Sequence, residues 1–214
     1  MEDQVVLHRR VRSTLLTGVV VLAVSAALIA IVLYVRDVTG VSMGTLTRDP
    51  LSGKPAYLGF LSQAGILLWA AGAAAAFLSA SALTGAQDAS GRRFLLSAGL
   101  LTVALCIDDA FLLHDEGLPK LGVPEEILYG VYLGCMLGFL VAFRRHILRT
   151  EYLILLLALG CLGLSVVCDA CGLPWLDPYL LEDGAKVAGI VAWAAYLFRT
   201  GGLLIRGHFG STTG

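Results

Sequence analysis

The sequence predicts an all-α integral membrane bundle of six transmembrane helices with both termini cytoplasmic. Three observations carry that expectation. The 214 residues are 57% hydrophobic and only 14% charged, where a soluble domain carries about 25% charged residues. The apolar residues gather into six runs near the ~20 residues that cross a hydrocarbon core. Lysine and arginine sit mostly in alternate connections, the pattern of a polytopic chain.

The first run, 13–35, follows a basic HRRVR segment. It exceeds the roughly 7–15 residues of a signal-peptide core and lacks a small-x-small end, so a retained helix is expected. Further runs cover 56–83, 94–113, 127–143, 152–171 and 180–199. No low-complexity stretch divides them, and residues 1–214 read as one helical domain. The longest connection, Arg36–Pro55, is rich in Gly, Ser, Thr and Pro and reads as a loop or hairpin over the outer face.

Charge sets the expected orientation. With the N-terminus inside, the cytoplasmic segments hold ten Lys/Arg and four acids, while the outer side and outer helix ends hold five and twelve. The formal balance is then +6 inside and −7 outside, which predicts insertion in a plasma or inner membrane with both ends cytoplasmic. No basic stripe is present, so nucleic acid is not an expected partner. The expected partners are the lipid bilayer and a cation.

Small residues suggest how the helices pack. Gly130, Gly134 and Gly138 recur every four residues, and 70–76 with Ser79, Ala80 and Ser81 form a second small-residue stretch. Apolar burial does not drive helix association in lipid, so close backbone approach must contribute. These faces are expected to make contacts inside one subunit, and secondarily a homo-oligomer. Of the five cysteines, only Cys168 and Cys171 have a redox-like spacing, and a pair of this kind in an apolar run is a weak signal.

The chemistry concentrates at the outer helix ends. The third run ends Cys-Ile-Asp108-Asp109-Ala-Phe-Leu-Leu-His114-Asp115-Glu116, with a further apolar patch beyond the two aspartates. A charge at that depth costs roughly 2.5–3.5 kcal/mol even on the lenient insertion scale, and adjacent carboxylates repel each other. A solvent-facing role suits Asp115 and Glu116 but not Asp108 or Asp109. On a regular helix His114 stands about 120–140° from either aspartate. Either the helix stops near Leu113 and His114 turns back, or other helices complete the site.

Candidates on other helices are Asp169, at the outer end of the fifth run, and Glu182 and Asp183, at the start of the sixth. Glu182 and Asp183 also suit a helix N-terminus, with Lys186 four residues after Glu182 as an ion-pair partner. The expected metal ligands are therefore Asp108, Asp109, His114, Glu116, Asp169, Glu182 and Asp183. Oxygen ligands alone favour Ca²⁺ or Mg²⁺, and adding His114 shifts preference toward Zn²⁺, Mn²⁺ or Fe²⁺.

Three functions fit these residues. The first is an outer-face cation site serving ion transport, weakened by the scarcity of polar residues deeper in the helices. The second is a membrane-embedded metal-dependent lipid hydrolase, although His114 is the only histidine at an outer helix end; His8, His146 and His208 lie on the cytoplasmic side. The third is a non-catalytic scaffold whose buried charges form a structural salt-bridge network.

Overall fold

In hydrocarbon every backbone N–H and C=O must be satisfied within the chain, so long apolar runs can only become helices. The computed structural model follows that rule. It describes residues 2–47, 58–85, 88–114, 118–119, 122–171 and 178–212. Among the described residues seven helices appear in order: α1 Glu2–Thr39, α2 Met43–Thr47, α3 Phe60–Ala82, α4 Ala89–Phe111, α5 Glu125–Ile147, α6 Tyr152–Cys171 and α7 Pro178–Thr212. No strand occurs among the described residues.

Five helices are long and apolar enough to cross a membrane: Thr14–Thr39, Phe60–Ala82, Ala89–Phe111, Ile127–Ile147 and Leu180–Gly207. The apolar stretch of α6, Tyr152–Cys168, is shorter. Side-chain distribution agrees with a lipid solvent. Leu15, Leu16, Leu67, Leu78, Leu100, Phe111, Leu133 and Val141 are exposed, while Ser25, Ser79, Thr102, Ser165 and Asp108 are buried. Ser25 and Thr102 donate to the carbonyls of Val21 and Ala98 one turn back in their own helices, at 2.9 and 2.7 Å.

Helix limits depart from expectation where terminal residues keep helical geometry. The basic N-terminal segment continues α1 back to Glu2, and α7 runs on to Thr212. The third span instead ends earlier, at Phe111. Part of the Arg36–Pro55 connection is helical rather than irregular: α2 packs on α1 and buries Met43 and Leu46. Residues 48–55 lie outside the described residues.

Two compact units divide the chain, Met1–Gly65 with Leu153–Ala195, and Ile66–Tyr152 with Tyr196–Gly214. In the first, single glycines admit neighbouring helices. A Cβ on Gly184 would stand 3.2 Å from Ile29 Cδ1, and one on Gly189 would stand 2.6 Å from Leu162 Cγ and 3.0 Å from its backbone nitrogen. Replacing Gly189 therefore requires the backbones of α6 and α7 to separate.

In the second unit, Gly201 of α7 meets Ser79 of α3, where an added Cβ would be 2.8 Å from the serine Cβ. Phe94 at the start of α4 is fully buried. It stacks on Phe139 and His146 at 5.5 and 5.9 Å, and presents an edge contact to Phe143 at 5.5 Å and Tyr196 at 6.5 Å. The Tyr196 hydroxyl lies 3.0 Å from that of Thr150, and Arg199 donates to Glu151 at 2.6 Å. These contacts tie the start of α4 and the end of α5 to the middle of α7.

The glycine stripe of α5 behaves differently from expectation. Among the described residues no heavy atom of another element lies within 4 Å of a Cβ built on Gly130, Gly134 or Gly138. The close approaches described fall instead on glycines outside that repeat, because a four-residue repeat aligns a smooth face without requiring a neighbour to occupy it.

Candidate metal centre

The last turn of α4 carries Asp108 and Asp109, which are 4% and 9% exposed. Burying two adjacent acids in an apolar helix demands donors, and the second unit supplies them. Trp69 on α3 donates its indole N–H to Asp109 Oδ2 at 2.8 Å. Tyr132, two turns into α5, donates its hydroxyl to Asp108 Oδ1 at 2.7 Å. A hydrogen bond to an ionised group contributes roughly 1.5–3 kcal/mol, comparable with the ~2.5–3.5 kcal/mol cost of inserting one carboxylate at depth.

The third group arrives by a turn. Leu112 closes α4 in the left-handed conformation, φ 49° and ψ 44°, with its N–H bonded to the Asp108 carbonyl. A non-glycine residue in this region costs about 1–2 kcal/mol. The next peptide unit therefore leaves the helix axis, and His114 comes back over the last turn. Its Nδ1 lies 2.5 Å from Asp108 Oδ2. An ionised carboxylate only accepts, so Nδ1 carries the proton of this contact, and a cation held jointly with Asp108 would take that proton's place on Nδ1. The imidazole also faces Tyr129, with ring centres 5.8 Å apart.

Asp108, Asp109 and His114 thereby offer one ligand atom each, all within 4.8 Å of one another, and the group could hold a metal ion. Of the two arrangements open to His114, the structure has the helix stopping and the side chain returning. Glu182 and Asp183 stand in the first turns of α7, in the first unit, half-buried. Asp169 belongs to the end of α6, with its side chain outside the described residues, and Glu116 is outside them altogether. Of the Cys168–Cys171 pair, the Cys171 side chain is also outside them, and Cys168 is buried.

Sequence reasoning missed Trp69 and Tyr132. Both are aromatic residues with a polar tip inside an apolar helix, and a buried indole N–H or phenol O–H usually needs a partner. That requirement, matched to two acids at the corresponding end of α4, was the available signal.

Fold and site together define a helical membrane protein with a buried Asp–Asp–His group suited to a metal ion. The chain belongs to the family described as Domain of unknown function (DUF8692), which it matches over residues 7–200. No curated protein and no solved structure matches it.

Proposed function

We propose that this protein spans the membrane six times with both termini cytoplasmic, and binds a divalent cation at its outer face through Asp108, Asp109 and His114. Ion transport is the activity such a site would serve. The observation that carries the reading is the convergence of those three side chains through the Leu112 turn. Two carboxylates and an imidazole sum to a negative formal charge whether or not the ring is protonated, so the group favours a cation. Two oxygens with one nitrogen suit Zn²⁺, Mn²⁺ or Fe²⁺ better than Ca²⁺ or Mg²⁺. The hydroxyls of Ser25 and Thr102 are engaged by their own helices, which favours an outer binding site over a continuous polar path.

The test is the melting temperature of the detergent-purified, chelator-stripped protein in a panel of Ca²⁺, Mg²⁺, Mn²⁺ and Zn²⁺. Mn²⁺ or Zn²⁺ is expected to raise it by several degrees at a hundredfold excess over Kd, equivalent to about 2.7 kcal/mol. An unchanged melting temperature across the panel removes the binding hypothesis.

Orientation is supported by the +6 to −7 charge balance. A protease-cleavable tag on the C-terminus is expected to be cut only after cells are permeabilised. Cutting in intact cells would invert the topology and place the acidic group inside.

A further inference from the structure

At the opposite end of α4 and α5 from the carboxylates, the surface of the second unit carries a different site. A cavity of about 540 Å³ is lined by Ser90, Val141, Ala142, Arg144, Arg145, His146 and Arg149. Ser90 and Asp108 are eighteen residues apart on one helix, so the two sites are separated by about 27 Å. Among the described residues Arg144, Arg145 and Arg149 form no ion pair. Glu151, the acid that follows them, is engaged by Arg199 at 2.6 Å. The imidazole of His146 is held against the Phe94 ring, which fixes one wall.

Three guanidinium groups around one cavity repel each other, and an anion relieves that repulsion. Guanidinium presents a planar fork of N–H donors that matches phosphate oxygens. The remaining lining is Ser90 with the apolar Val141 and Ala142. Val141 is exposed, and the same helix carries exposed Leu137 and Leu133 toward its middle. A ligand with a phosphate at one end and hydrocarbon at the other fits both parts of this surface.

We infer that this cavity is a binding site for a phosphate-bearing anion, met most completely by an anionic phospholipid headgroup whose acyl chains run along α5. Basic pockets at helix ends hold acidic lipids in this way, each basic residue contributing about 1 kcal/mol, or roughly fivefold in affinity. The metal group takes no part, and the experiment is done with chelator present.

The full-length protein in mild detergent is titrated with phosphatidylglycerol, with phosphatidylcholine and with inorganic phosphate, and bound ligand is counted by native mass spectrometry. Saturable retention of phosphatidylglycerol over phosphatidylcholine is expected. The double substitution Arg144→Gln with Arg149→Gln should weaken it about 25-fold. Arg144→Lys with Arg149→Lys, which keeps the charge and gentle folding demands but removes the forks, should weaken it by a smaller factor. Arg92→Gln with Arg93→Gln, on the same side but outside the cavity lining, should leave it unchanged. Saturation by inorganic phosphate at similar concentrations would identify a free anion as the source and keep the site. Retention equal for both lipids, or loss equal in the cavity and control variants, overturns the inference.

Discussion

Asp108→Asn is expected to lower cation affinity at least 100-fold and to abolish the cation-dependent rise in melting temperature. The change keeps the shape of the side chain, and the remaining oxygen can still accept from Tyr132, which now lies 2.7 Å from Oδ1. It removes a charged ligand and sets an amide against His114 Nδ1–H, where a carboxylate oxygen stands at 2.5 Å. A neutral amide is also a poorer ligand than a carboxylate.

The cation-free protein should respond in the opposite sense. A buried charge that costs roughly 2.5–3.5 kcal/mol at depth is neutralised, and its repulsion with Asp109 disappears. The melting temperature without cation should hold or rise, while that with cation falls toward it. The cation response, present in the parent and lost in the variant, is what separates a ligand site from a structural network. If Asp108 and His114 served only as a stabilising ion pair, breaking it would strand His114 and cost several kcal/mol with no cation present. A melting temperature that drops in chelator, with no cation response in either protein, would favour the scaffold reading.

The legible parts of this molecule are those governed by one property at a time. Hydropathy alone marks α1, α3, α4, α5 and α7, because lipid leaves a long apolar run no alternative to a helix. It marks α6 less firmly, since the apolar stretch of that helix stops at Cys168. Depth within the run singled out Asp108 and Asp109, and both are buried. Partners were less visible. Trp69 is 39 positions before Asp108 and Tyr132 is 24 after it, and only packing of α3 and α5 against α4 brings them to the carboxylates.

The glycines show the same divide. Gly130, Gly134 and Gly138 advertise a smooth face, yet among the described residues no heavy atom of another element comes within 4 Å of it, whereas Gly189 and Gly201 have no repeat and lie at the tightest approaches. A pattern reports what a surface permits. Which surface is used depends on volumes supplied by other helices, here Leu162 and Ser79.

The return of His114 was one of two sequence-level alternatives, and Leu112 decides between them, which leads to the second large effect. Leucine carries no turn signal, and a left-handed residue ending a helix is usually glycine or asparagine. Its φ of 49° is nevertheless what takes the chain off the α4 axis. Leu112→Val should therefore abolish cation binding although Asp108, Asp109 and His114 are all still present in the sequence. A β-branched residue is a genuine outlier at positive φ. α4 would then continue past Phe111 and carry His114 about 120° around the helix from Asp108. Affinity should fall at least as far as in His114→Ala, since the imidazole is equally lost to the site. Leu112→Gly is the opposite control: it suits the same backbone, removes about 1–2 kcal/mol of strain and should bind the cation as the parent does. The measurement is a cation titration of both variants by calorimetry. Parent-like affinity in Leu112→Val would mean that the three ligands assemble without this turn, and the strained residue would lose its role in building the site.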